Sequence, residues 1–313
     1  MGLVQRLQAM GICGMNRRNA AVTFPQNPRK FYPTVDNKLL TKEIAMQFRV
    51  PVPELYGVIR FPHELRELEQ TLAPYPRFVI KPARGAQGKG ILLVVGRTNG
   101  NYLQTDGQQL TLRELKYYVS GILSGLYSLG GQVDQGFIEY MIEADPVFQN
   151  VSYAGVPDIR VIVYRGAPLM SMIRLPTRES HGKANLHQGA VGMGVNIITG
   201  VSTYAVHKNR TLEKHPDTGQ LLTGMQIPFW ERILIMAAHA LEMTGLGYVG
   251  VDIALDKNKG PLILELNARP GLSIQIANRA GLLLRLAALD RTELQGRTPT
   301  ERVALARNAL VGL

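Results

Sequence analysis

Apolar residues recur at two different periods along this chain, and the change of period divides it into regions. After Asp36, the residues Leu39, Leu40, Ile44 and Phe48 return at helical spacing until Val50-Pro-Val-Pro intervenes, which predicts a helix over 36–47 with Asp36 as its cap. Helices are likewise expected over 65–72 and 112–129, with strands over 78–81, 91–95 and 102–104. Beyond them strand signals dominate, at 136–141, 159–164, 169–175 and 188–195, separated by Gly-, Pro- and Asn-rich gaps too short for a crossover helix. Antiparallel pairing follows. A long apolar helix over 228–244 precedes two strands, 247–255 and 262–267, whose turn at 256–260 reads as a hairpin, and the tail 274–313 is expected to be helical.

The fold class this predicts is α+β, in three stretches: a basic arm over 1–35, a small α+β unit over 36–135 and a larger one over 136–313, with the ligand expected in a cleft between the two units. No run of about 18 apolar residues lacks charge, so no membrane span is expected. The amino terminus places Arg17–Arg18 after its apolar residues, the reverse of a signal peptide. Cys13 is the single cysteine, which excludes a disulfide framework and any multi-cysteine metal site and makes the cytoplasm the expected compartment.

Composition adds a direction. Of 313 residues 45% are hydrophobic and 19% charged, a globular balance, but the net charge is +11 and calls for an anionic partner. Residues 1–50 hold eight Lys and Arg against Asp36 and Glu43, so more than half of the excess lies at one end. No helix-turn-helix, RNA-recognition or zinc-finger signature accompanies it. Nucleic acid or a ribosome, met by Arg17, Arg18, Arg29 and Lys30, is therefore the alternative to a phosphorylated ligand; solvated surface is the plainest reading.

Three constellations carry chemistry. The first is Phe78-Val-Ile-Lys81-Pro-Ala-Arg-Gly85-Ala-Gln87-Gly88-Lys-Gly90, in which a strand, a glycine loop and a second strand let backbone N–H groups approach an anion while Lys81 adds charge. It is neither a P-loop nor a dinucleotide-binding turn, because no helix follows; a hairpin tip without function is the competing reading. The second is Asp252 with Glu265 and Asn267. Residues 265 and 267 share one face of a strand, hairpin pairing brings Asp252 beside them, and two carboxylates with an amide oxygen suit Mg²⁺. A solvated hairpin face is the competing reading there. The third is a set of cations, Arg160, Arg174 and Lys183, fit to neutralise a transferred phosphoryl group, with Asp158 placed to orient Arg160. His187 reads as structural, and His207 and His215 as loop residues.

In this order the motifs resemble the ATP-grasp superfamily, and within it the RimK-like α-L-glutamate ligases and the less characterised α-L-glutamate ligase-like proteins, from about residue 37 to 271. The resemblance implies an ATP-grasp fold of two α+β subdomains and an ATP- and Mg²⁺-dependent carboxylate–amine ligase, ADP-forming, working through an acyl phosphate. It also implies roles. Lys38 and Lys81 would meet the nucleotide phosphates beneath a loop of Gly85, Gln87, Gly88 and Gly90; backbone groups at Glu139 and Met141 would read adenine, and Glu143 the ribose. Arg160, Arg174, Lys183 and Asn185 would face the acyl phosphate, and Asp252, Glu265 and Asn267 would hold two Mg²⁺ or Mn²⁺ ions. Relatives usually carry a further N-terminal domain, apparently absent here, and have Ser-Pro-Gly where Arg269-Pro-Gly stands. The expected substrates are an amino acid such as L-glutamate and a carboxylate-bearing peptide, protein or small acid; a homo-oligomer and an ATP-gated adaptor with weak catalysis stay open.

Overall fold

A computed structural model describes residues 3–85, 88–208 and 210–313. It divides into two compact units, one of Met1–Val35, Ile44–Pro51 and Glu143–Leu313, the other of Asp36–Glu43 and Val52–Ile142.

The smaller unit is built on six strands, β1 (Leu55–Ile59), β2 (Phe78–Pro82), β3 (Leu92–Thr98), β4 (Asn101–Gln104), β5 (Gln109–Leu110) and β6 (Gly136–Glu139), arranged β1-β6-β2-β3-β4-β5 with antiparallel pairing throughout. Strand β6, expected to open the larger unit, sits instead between β1 and β2. Phe78, Ile80, Val94 and Ile138 pack against Leu115, Val119 and Ile122 of helix Leu112–Leu123. That helix opens on a reciprocal cap between Thr111 and Glu114. It ends short of the expected residue 129, because Gly125 turns left-handed (φ +85°) with the Gln132 carbonyl where a Cβ would stand. The helix expected from Asp36 is Lys38–Gln47, and its cap is Asn37, whose Oδ1 accepts from Leu40 N.

The larger unit holds seven strands: β7 (Asp158–Tyr164), β8 (Ala167–Leu175), β9 (Val191–Val195), β10 (Ser202–His207), β11 (Arg210–Leu212), β12 (Tyr248–Asp256) and β13 (Gly260–Asn267). Their order is β11-β10-β9-β8-β7-β12-β13, again antiparallel between neighbours. The β12–β13 hairpin is as expected. Short β10 and β11 were not, having few apolar residues to mark them; β9 begins only at Val191 because residues 186–188 form a turn capped by Asn185. The helix expected over 228–244 is two, Trp230–Ala238 and Ala240–Thr244, and the tail folds as Ile274–Asn278, Leu282–Asp290 and Pro299–Ala309. Among the described residues, no helix is long and apolar enough to cross a membrane.

The segment before residue 36 is no free arm. The Asn27 side chain donates to the carbonyls of Tyr248 (2.7 Å) and Ala268 (3.0 Å) and accepts from Tyr248 N (2.9 Å), acting as an added backbone segment beside β12. Cys13 packs with Ile274, Leu282 and Leu286, and Gln275 bonds both its N–H and its carbonyl. Arg18 is 8% exposed and donates to the Pro270 carbonyl at 2.7 Å. That removes Arg18 from the cations expected to meet nucleic acid.

Candidate active site

In the smaller unit the glycine loop leaves β2 after Pro82, one residue beyond Lys81. Gly88 and Gly90 both have left-handed backbones (φ +73° and +72°), but for different surroundings: a Cβ on Gly88 would meet nothing, whereas on Gly90 it would stand 2.5 Å from the Tyr127 ring. At Gly85 a Cβ would stand 2.3 Å from the Pro82 ring. Gln87 lies outside the described residues. Lys38 Nζ donates to the Gly85 carbonyl at 3.1 Å, so the first lysine is tied to the start of the loop.

Beneath the loop lies an ion cluster the motifs did not disclose. Glu139 is 3% exposed, and its carboxylate takes Lys81 Nζ at 2.5 Å and Lys42 Nζ at 2.7 Å. Lys81 pairs in register with Phe137, so Glu139 stands diagonally across β6 on the same face. Burial pushes this carboxyl up, but the two ammonium groups outweigh burial and hold it below its usual range. Burial pushes Lys42 down. One negative charge against two positive leaves the cluster net positive. From the motifs alone Glu139 has a backbone role only and Lys42 none; the helical spacing from Lys38 to Lys42 is the local signal that points to the second lysine.

In the larger unit four charged residues interlock across three strands. Asp158 on β7 faces Arg174 on β8, and Arg160 on β7 faces Asp252 on β12. Arg174 grips both oxygens of Asp158 (2.5 and 2.6 Å) and reaches Asp252 Oδ2 at 2.8 Å; Arg160 grips both oxygens of Asp252 (2.7 and 2.6 Å). Asp158 therefore orients Arg174, not Arg160 as expected. Burial, with Arg174 opposing it and the Asp252 charge adding to it, pushes Asp158 up to about 6, whereas at Asp252 the two guanidinium groups outweigh burial and hold it at about 2.

Glu265 on β13 pairs in register with Asp252 and lies within hydrogen-bonding reach of it. Asn267 Nδ2 donates to Asp252 Oδ2 (3.2 Å) and Glu265 Oε1 (3.4 Å). Asp252 is 1% exposed, which excludes the solvated-hairpin reading. Three carboxylates (Asp158, Asp252, Glu265) stand with two guanidinium groups (Arg160, Arg174), and Asp252 and Glu265, set side by side, repel when both are ionised, a repulsion that a shared cation relieves. The residues fit a hard divalent ion: Asp252 and Glu265 set two carboxylates side by side, and a half-turn of the Asn267 amide presents oxygen in place of nitrogen. Among the described residues, no group of three or more His, Cys, Asp or Glu side chains is placed to hold a metal ion, so the oxygen set here is two carboxylates and an amide.

The remaining expected residues have surroundings of their own. The Asn185 side chain caps its turn by accepting from His187 N at 3.0 Å. Lys183 is exposed in the preceding loop. The Glu143 carboxylate pairs with Lys257, and its N–H donates to Asp256. Met141 follows β6 outside any strand or helix. His215 is a loop residue as expected, though buried with a ring nitrogen 3.1 Å from the Pro176 carbonyl, whereas His207 ends β10.

Two antiparallel α+β units, one with a lysine–glycine loop and the other with an acidic hairpin set, are the parts of an ATP-grasp protein. The profile of the sugar-transfer associated ATP-grasp family matches residues 17–291, and the chain belongs to that family. Curated relatives named "Probable alpha-L-glutamate ligase" are also similar. The one from Halorhodospira halophila is 25% identical over 284 residues, covering 89% of this chain and 71% of its own; the one from Maridesulfovibrio salexigens is 27% identical over 195 residues, covering 62% and 43%. Among solved structures, D-cycloserine synthetase DcsG aligns at a TM-score of 0.48 and 15% identity over 84% of this chain and 72% of that one. D-alanyl-alanine synthetase A from Vibrio cholerae aligns at 0.45 and 11% over 88% and 65%.

Proposed function

We propose that this protein is an ATP- and Mg²⁺-dependent carboxylate–amine ligase, joining an amino acid such as L-glutamate to a peptide, a protein or a small acid through an acyl phosphate. The observation that carries the reading is the buried pairing of Asp252 with Glu265 beside Arg160 and Arg174, which combines a cation-seeking oxygen set with fixed positive charge. Family membership supports ATP as the energy source, and the name of the relatives supports glutamate.

In this reading Lys38, Lys81 and the loop of Gly85, Gln87, Gly88 and Gly90 take the nucleotide phosphates, the backbone at Glu139 and Met141 takes adenine, and Glu143 takes the ribose. Asp252, Glu265 and Asn267 hold the divalent ions, two in number or with Mn²⁺ in place of Mg²⁺; when bound, these draw electron density from the γ-phosphate. A carboxylate oxygen of the acceptor attacks the γ-phosphorus and the bond to ADP breaks. The amine nitrogen then attacks the acyl carbon, the carbon–oxygen bond to phosphate breaks, and the amine loses a proton. Arg160 and Arg174, with Lys183 and Asn185, offset the charge gathered on the phosphoryl oxygens.

The test is ADP release from ATP·Mg²⁺ with L-amino acids singly and in pairs, extended to uronic acids because of the family's description, with mass spectrometry of any product. A condensation product that fails to form with Glu265→Gln is expected. Full activity of Glu265→Gln would overturn the metal assignment, and ADP release without any condensation product would overturn the ligase.

A further inference from the structure

A second site lies wholly within the larger unit. The segment before residue 36 and the stretch after β13 enclose a pocket of about 790 Å³, in the range of small-molecule sites and far larger than one glutamate needs. Its apolar wall comes from both sides: Met10 and Met15 from the first, Leu272 and Ile276 from the second. Met15 is 65% exposed and Ile276 46%, so large apolar side chains from distant parts of the chain face one solvent-filled space.

The polar side is of one sign. Arg18, Arg269 and Arg279 line the pocket, and among the described residues no Asp or Glu does. Each arginine is held from outside the pocket. Arg18 is fixed through Nε to Asn19 and Nη1 to Pro270, leaving Nη2; Arg269 stacks over Tyr32 at 5.4 Å; Arg279 stacks over Tyr204 at 4.3 Å and donates to Thr211. Three pre-positioned guanidinium groups beside thioether and isoleucine side chains discriminate twice: against cations by charge, and against wholly polar acids, which would leave the apolar wall wet.

We propose that this pocket binds an amphiphilic acid, a carboxylate carried on an apolar body, and that this is the carboxyl substrate of the ligation. Only the second half rests on the ligase reading. Arg269 follows Asn267 by two residues, so their Cα atoms are at most about 7 Å apart, and a carboxylate held at Arg269 lies close to the end of β13 where the oxygen set is built. The amino-terminal segment supplies half of the wall, which gives its packing on the larger unit a purpose beyond stability.

The experiment is calorimetric titration of the whole protein, without nucleotide, with decanoate below its micelle concentration, alongside L-glutamate and decyltrimethylammonium. Decanoate is expected to bind and the other two are not. Ile276→Asp and Arg269→Gln should each weaken decanoate by about tenfold or more while leaving the thermal melt unchanged; Met15→Asp, on an exposed position, serves if either fails to fold. The proposal is overturned if decanoate does not bind, if the cationic amphiphile binds equally, if the variants bind as the wild type does, or if only phosphatidylglycerol vesicles are bound. ADP release separates the two readings. Decanoate bound, with no acid and amine together releasing ADP, leaves the pocket and removes the ligase; ADP release by an acid that is unaffected in the pocket variants leaves the ligase and removes the pocket as its substrate site.

Discussion

Arg160 closes on both carboxylate oxygens of Asp252, at 2.7 and 2.6 Å, from the facing position on the neighbouring strand. Both residues are nearly removed from water, so neither charge has a cheap alternative.

Removing one partner should therefore cost far more than a surface pair does. Arg160→Met leaves Asp252 with Arg174 as its one bonded cation, and about 3 kcal/mol of stability should be lost. Urea denaturation followed by circular dichroism measures it. A loss under about 1 kcal/mol would mean that the pair is solvated, as exposed pairs are.

Glu139 makes the smaller unit sensitive to acid. Its folded carboxyl lies below the usual range, so the unfolded chain binds the proton more readily; the stabilisation is present above the ordinary carboxylate range and is lost as pH falls through the depressed folded value. The melting temperatures of wild type and Glu139→Gln should converge between about pH 7 and about pH 3. A constant gap across that range would show that the two lysines do not act through charge.

The two left-handed loop glycines should respond differently to the same change. Gly88→Ala meets only the backbone penalty of about 1 kcal/mol, whereas Gly90→Ala must also displace Tyr127 and should be the more destabilising. Thermal unfolding of both variants decides it, and equal losses would sink the steric argument.

Asn27→Ala strips β12 and the chain after β13 of three side-chain hydrogen bonds. About 3 kcal/mol should be lost, since buried backbone groups are left without partners. Limited proteolysis should then cut within the first 27 residues before it cuts elsewhere. An unchanged cleavage pattern would mean that the apolar packing around Cys13 holds the segment by itself.

Much of this was legible along the chain. Alternation and glycine placement marked β2, β3, β7, β8, β12 and β13, and the two-residue spacing of Glu265 and Asn267 placed them on one face because strand periodicity is a local property. Edge strand β1, apolar but mostly half-buried, and the weakly apolar β5, β10 and β11 escaped, since short edge and near-edge strands need few buried residues to form.

The sequence by itself determined the kinds of side chain available and the local geometry that strands and turns impose on them: which residues share a face, where glycine is needed, where charge accumulates. Tertiary structure alone decided their partners. Arg160 lies 92 residues from Asp252 and two from Asp158, yet it pairs with the distant carboxylate. The register of β7 against β12 and β8 sets each guanidinium opposite one acid, and neighbours two apart on a strand point the same way without meeting. The same holds for Lys42 with Glu139, and for Arg18, whose charge counted toward a basic surface until packing turned it inward. Spacing along a chain fixes direction, but only the pairing of remote strands brings charges within bonding distance.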